Sequence, residues 1–146
     1  MIKINSTTAK KLNIRPYYFV DELGKIYSNC YGDLRELKQR VNRNGYKQIG
    51  LASCDNCQYT IESHRLIYIA FNGLIKDKLV VDHINDIKTD NRIENLRLVT
   101  NAENIRKGWA NGRAISDKHR ESCRKIGRLY GAKNLDNYKK SRLTQC

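Results

Sequence analysis

The sequence predicts an α+β protein made of small antiparallel hairpins, a strand-loop-strand-helix unit and a basic helical C-terminal extension. Three observations carry this. Short runs of β-branched and aromatic residues alternate with Gly- and Asn-containing turns through the first hundred positions. One longer apolar segment, residues 64–71, stops at Asn72-Gly73. Residues 101–146 hold 12 Lys and Arg against 4 Asp and Glu, a net +8, with almost no apolar clusters. The core must therefore come from the first hundred residues.

Taken in order, Tyr17-Tyr18-Phe19-Val20 and Ile26-Tyr27-Ser28 flank Glu22-Leu23-Gly24-Lys25 and read as a hairpin. Residues 33–41 place Leu34, Leu37 and Val41 at helical spacing, which predicts a short helix ended by Asn44-Gly45. Residues 46–53 and 58–62 predict a second hairpin with Cys54-Asp55-Asn56-Cys57 at its tip. Ser63 is the expected N-cap of the main core helix over residues 64–71. Residues 79–84 form a β-branched strand carrying Asp82 and His83, followed by a polar loop over residues 85–94 and a second strand over residues 96–100. Asn101 is the expected N-cap of the next helix. In the tail, Ser116 is placed to cap a helix from residue 117 to about 130, with Cys123, Ile126 and Tyr130 on one face, and residues 135–143 form a second short segment. The division expected is an N-terminal hairpin module (1–44), a core (45–112) and a basic tail (113–146).

Composition narrows the function. The chain has 146 residues, enough for one core, and 28 Lys and Arg against 15 Asp and Glu give a net charge of +13. Such a charge suits a polyanionic partner, nucleic acid first. No apolar run approaches the roughly 18 to 20 residues of a membrane span, and Met1-Ile2-Lys3-Ile4-Asn5-Ser6 lacks a signal-peptide core. A cytoplasmic protein with reduced cysteines is expected, since the five Cys are odd in number and scattered. Cys54 and Cys57 are spaced as a zinc pair that Cys30 and His64 would complete, but a lone pair at a hairpin tip is more often two turn residues.

The strand-loop-strand-helix unit carries the chemistry. Asp82 at a strand end and Asn104 in the first turn of the following helix are two oxygen ligands able to share a hard divalent cation. His83 beside them carries an imidazole, the side chain suited to taking a proton from water near neutral pH. Unpaired N–H groups at the helix start favour a phosphate oxygen. On the residues alone, a second reading stands beside this one: His83 as a strand-end histidine, with Asn95 and Asn104 structural.

His64-Arg65-Leu66, Val81-Asp82-His83-Ile84-Asn85, Asn91-Arg92-Ile93-Glu94-Asn95-Leu96-Arg97, Val99-Thr100 and Glu103-Asn104 together closely resemble the homing-type HNH endonucleases of phages and introns. The resemblance runs from about residue 17 to 107. It implies a ββα-metal (His-Me finger) core and metal-dependent cleavage of double-stranded DNA. His83 matches the first motif histidine, the general base, and Asp82 the metal-binding acid. Asn95 matches the middle Asn that holds the loop and orients the base, and Asn104, 22 residues after Asp82, matches the third position as a metal ligand. Asn rather than His there favours Mg²⁺ or Mn²⁺ over Zn²⁺ by ligand hardness. Arg65, Arg97, Arg106 and Lys107, with Arg113, Lys118, Arg124, Lys125 and Arg128 of the tail, are the candidate DNA contacts. Arg35, Lys38, Arg40, Arg43 and Lys47 are explained equally by backbone tracking and by solubility. His64 is expected to be structural. The function implied is a metal-dependent endonuclease that nicks or cuts both strands. The alternative is a DNA-binding or regulatory module with an inactive site, and monomer and homodimer are both open.

Overall fold

Alternation of buried and half-buried residues builds the first sheet. In the computed structural model, which describes residues 1–55, 57–111 and 121, strands β1 (Ile2–Lys3), β2 (Tyr18–Val20), β3 (Ile26–Ser28) and β4 (Arg35–Glu36) form an antiparallel sheet in that order. Tyr18, Val20, Ile26 and Ser28 face the core while Phe19 and Tyr27 pair across the outer side. Between β1 and β2 lies α1 (Ser6–Lys11), whose first turn is closed by Asn5 Oδ1 accepting from Thr8 N–H at 2.7 Å. Neither β1 nor α1 is announced by the sequence pattern, because both are too short to show a period.

The second sheet is β5 (Arg40–Val41), β6 (Lys47–Ala52) and β7 (Gln58–Glu62), again antiparallel. Residues 33–41 are therefore not the expected helix but parts of two strands. Leu37 N–H donates to Ile26 O at 2.8 Å, and Val41 is 60% exposed, so the helical spacing buries no continuous stripe. A segment this short gains too few helical bonds to offset nucleation, and two sheet edges offer its backbone partners instead.

Chain continuity links β7 directly to α2 (Ser63–Asn72). The expected cap moves by one residue: Glu62 is the N-cap, with no side-chain bond, and Ser63 is already helical and fully buried. The end is as expected, with Gly73 at φ +86° donating its N–H to Ile69 O. Leu66 and Ile67 of α2 are wholly buried among Ile4, Val20, Ile49, Leu51, Val81 and Leu96, so one helix gathers side chains from all three sheets.

The third sheet is the two-stranded ribbon of β8 (Leu79–His83) and β9 (Leu96–Thr100), continued by α3 (Asn101–Ala110). Thr100, not Asn101, closes the helix start. Thr100 N–H and Oγ1–H donate to Glu103 Oε2 at 2.8 Å each, while Thr100 Oγ1 accepts from Glu103 N–H at 3.2 Å, a reciprocal capping box. The Thr-x-x-Glu spacing holds all three bonds, whereas the residue three positions after Asn101 is Asn104, not Glu or Gln. The chain divides into a compact unit over Met1–Ile105 and a second over Arg106–Cys146. In the second, Asn111 N–H donates to Lys107 O at 3.0 Å. The tail helix expected over residues 117–130 and the segment 135–143 lie outside the described residues.

The turn between β2 and β3 touches the loop between β8 and β9. Gly24 has φ +83°, and a Cβ there would lie 2.7 Å from Asn91 O. Gly32, at φ +93°, has nothing within 4 Å of such a Cβ. Gly24→Ala should therefore cost about 2–4 kcal/mol and Gly32→Ala about 1 kcal/mol, left-handed strain with and without overpacking. Urea unfolding midpoints of the two variants measure the difference, and equal losses would contradict the close approach.

Candidate active site

Register sets the site. Asp82 pairs with Arg97 and His83 with Leu96 across the β8–β9 ribbon. Asp82 therefore lies beside the Arg97 guanidinium, while His83, the last residue of β8, opens onto the loop that follows. Both are buried, at 7% and 4% exposure.

The loop after His83 is polar but not loose. Asn95, in the 3₁₀ turn Ile93–Asn95, donates from Nδ2 to Asn85 Oδ1 at 2.9 Å and to Asp90 O at 2.8 Å, and its Oδ1 accepts from Asn85 N–H at 3.0 Å. Asn85 Nδ2 in turn donates to Asp90 Oδ2 at 2.8 Å. The Arg92 fork grips Asp90 from Nε and Nη2, and that hydrogen bonding pulls the Asp90 carboxyl down to about 2. Inside this frame Asn91 is buried, with Oδ1 3.0 Å from His83 Nε2.

The rings of Tyr46 and His64 flank the His83 ring, at centroid distances of 6.0 and 5.0 Å. Lys88 of the loop lies over Tyr46 at 4.8 Å and donates from Nζ to Asn44 O at 2.8 Å, which ties the loop to the β5–β6 turn. His64 is held neutral: burial, with smaller contributions from the charges of His83 and Arg65, pushes its pKa down to about 3. Glu62 Oε2 is 3.7 Å from His64 Nε2, too long for a hydrogen bond, and it is the more exposed partner, so burial prevails over pairing.

Across the ribbon, Arg97 Nε and Nη2 both reach Asp82 Oδ2 at 3.0 Å. The guanidinium is half exposed, so the pair has a wet side and a dry side. Asn104 is the fourth residue of α3 and half-buried.

The profile of the HNH endonuclease family matches residues 63–106, from the start of α2 into α3. The DNA endonuclease I-HmuI of Bacillus phage SP01 is 34% identical over 96 residues, covering 66% of this chain and 53% of that protein. The HNH endonuclease L247 of Acanthamoeba polyphaga mimivirus, itself uncharacterized, is 37% identical over 90 residues, covering 60% of this chain and 22% of that protein. The solved structure of DNA binding and cleavage by the HNH homing endonuclease I-HmuI superposes with a TM-score of 0.62 at 30% identity, over 82% of this chain and 66% of that one. The chain belongs to the homing-type HNH endonuclease family. It spans about half the length of the phage relative and about a fifth of the mimivirus one.

The span matched by the HNH profile holds Asp82, His83, Asn95 and Asn104. Asn95 bonds the loop, while the side chain that touches His83 is Asn91, which the sequence reading missed. Asn85, Asp90 and Asn91 carried a signal, a cluster of Asx residues between two apolar strands, which marks side-chain-to-backbone turns. Arg97, expected on DNA, is paired with Asp82, and Arg65 is exposed on α2. Arg106 and Lys107 belong to the second unit, and Arg113, Lys118, Arg124, Lys125 and Arg128 lie outside the described residues.

HNH nucleases generally use divalent metal ions. Asp82 carries a carboxylate and Asn104 an amide oxygen, both hard donors of the kind such an ion takes. Among the described residues no group of three or more His, Cys, Asp and Glu side chains could hold a metal ion. Cys30, Cys54 and Cys57 are free and exposed, Cys54 Sγ donates to Ile14 O, and His64 is buried against Tyr46 and His83.

Because His64 has a native pKa well below its unfolded value, the unfolded chain binds the proton first as pH falls. Stability is full above about pH 6.5 and is lost as pH drops from there toward about 3. Between pH 7.5 and 5.5 the wild type should lose about 1 kcal/mol more than His64→Phe. Urea titrations of both proteins at the two pH values check this, and parallel losses would show that His64 is not the group responsible.

Proposed function

We propose that the chain is a metal-dependent DNA endonuclease that hydrolyses phosphodiester bonds, with His83 as general base, Asp82 and Asn104 as ligands of Mg²⁺ or Mn²⁺, and Asn95 holding the His83 loop. The observation that carries this is the buried imidazole of His83, adjacent in sequence to a buried carboxylate and braced by a hydrogen-bonded polar loop. A histidine with no task would be cheaper to replace by an apolar residue at such a position.

In the mechanism, one ring nitrogen of His83 accepts a proton from the attacking water while the other is held by the loop. Asp82 supplies the negative charge that attracts a cation, and Arg97 keeps that carboxylate in place along the ribbon. The cation, when bound, supplies charge stabilisation at the phosphate and the leaving oxygen. His64, neutral across the working range, adds no competing positive charge next to the base.

Double-stranded DNA is the partner supported by the net charge of +13 and by the DNA-cleaving relatives. Arg65, Arg97, Arg106 and Lys107 and the basic tail are the proposed phosphate contacts, and the division at residues 1–44, 45–112 and 113–146 is retained as the working one. No described helix is long and apolar enough to cross a membrane, and the host cytoplasm is the proposed compartment. One catalytic set per chain nicks; cutting both strands takes two chains or two encounters.

Supercoiled plasmid with Mg²⁺ tests the reading directly. The wild type should nick or linearise it, and EDTA or His83→Ala should abolish this, a loss of about 10²–10⁴-fold for removal of a general base. Tight, salt-sensitive binding without cleavage would instead support a DNA-binding module with an inactive site.

Deleting residues 113–146 should weaken DNA binding and flatten the dependence of log affinity on log salt. Fluorescence anisotropy at several salt concentrations reads both. Unchanged affinity would remove the tail from the DNA contacts.

A further inference from the structure

We propose that Asn91 is a positioning residue for His83: its side-chain carbonyl accepts the Nε2–H bond, which fixes the ring and leaves Nδ1 as the nitrogen that takes the proton. This rests on the nuclease reading for its consequence, but the bond itself stands on geometry. Oδ1 and Nε2 are 3.0 Å apart, and the two residues are 3% and 4% exposed.

Three features say that the carboxamide is held there for this contact. First, Asn91 Nδ2 is buried with no hydrogen-bond partner among the described residues. A buried amide that leaves one end unsatisfied is a stability liability, so the bonded end needs a reason to be kept. Second, the backbone of Asn91 is gripped from outside its own loop. The Gly24 backbone closes on its carbonyl so tightly that a Cβ would lie 2.7 Å from O, 2.8 Å from C and 2.9 Å from Cβ. Glu22 O accepts from Ile93 N–H at 3.0 Å, and Gln39 Nε2 holds Gly24 O at 2.8 Å. Third, the preceding residue, Asp90, is fixed by Asn95, Asn85 and Arg92. Asn91 thus stands between two anchors with its side chain turned to the imidazole.

The direction of the bond decides the chemistry. A carbonyl oxygen can only accept, so Nε2 must carry the hydrogen and the basic lone pair lies on Nδ1. Turning the amide end for end would put an N–H against Nε2, leave the carbonyl buried without a donor and protonate Nδ1 instead. The two arrangements predict opposite tautomers of His83. An acceptor on one nitrogen also holds the plane of the ring, as outer partners do for liganding and catalytic histidines.

The test compares wild type, Asn91→Leu and Asn91→Asp, with Asn91→Ala in place of the leucine variant if that one does not melt cooperatively. The ¹⁵N-edited imidazole spectrum at pH 8.5, without DNA or metal, should show His83 protonated on Nε2 with a directly visible, hydrogen-bonded Hε2. That signal should vanish in Asn91→Leu and persist in Asn91→Asp, which keeps an acceptor oxygen in the same place. In plasmid nicking, Asn91→Leu should lower kcat about 10- to 100-fold with KM within about twofold, and Asn91→Asp should recover at least about tenfold of the loss. An Nδ1-protonated His83 in the wild type, or Asn91→Leu with kcat within about threefold of wild type, would overturn the proposal while leaving the nuclease reading intact. A wild type that shows the Hε2 signal yet never cleaves would instead sink the nuclease reading, and with it the role given to the bond.

Discussion

One carboxamide, that of Asn95, satisfies the loop that follows His83. Its three hydrogen bonds, to Asn85 at two atoms and to the Asp90 carbonyl, close a polar segment that runs between two core-bearing strands. Each such bond contributes only about 0.5–1.5 kcal/mol net, but a buried polar group left without one costs about 1–3 kcal/mol. The loop is thus held less by attraction than by the cost of any other arrangement. Remove that constraint and Asn91 loses its place, and with it the contact to His83 Nε2.

The same economy governs the charges. Asp82 is buried but meets Arg97 on a half-exposed edge, where a guanidinium stays hydrated while its fork holds one carboxylate oxygen. His64 has no comparable partner among the described residues, so burial keeps it neutral and its ring serves as a wall against His83. Two imidazoles 5.0 Å apart would repel if both were charged. Holding His64 neutral resolves the conflict.

Support for the loop comes from far away in sequence. Gly24 and Glu22 lie in the first hairpin turn and touch the segment around Asn91, while Asn44 takes the ammonium of Lys88. α2 binds these pieces from beneath, since Leu66 and Ile67 share one apolar cluster with Ile4, Val20, Ile49 and Leu96. The HNH family match, which begins at residue 63, therefore covers Asp82, His83, Asn91 and Asn95 but not the turn that braces their loop.

What the sequence determined by itself was whatever short-range pattern controls. Strand alternation and turn residues located both hairpins, Asn72-Gly73 located the end of α2, and two β-branched runs around a polar loop located the strand-loop-strand-helix unit. Tertiary structure decided the rest. Residues 33–41 carry a helical period yet became strands, because sheet edges were within reach of their backbone. Thr100 took the cap from Asn101 because Glu103 could answer it. Asn91, one more polar residue in a polar loop, faces His83 in a segment that the distant Gly24 packs against. Such contacts join residues 8 to 67 positions apart, and no local pattern encodes which buried acceptor a given imidazole will meet. That choice belongs to packing, which must satisfy every buried polar group at once.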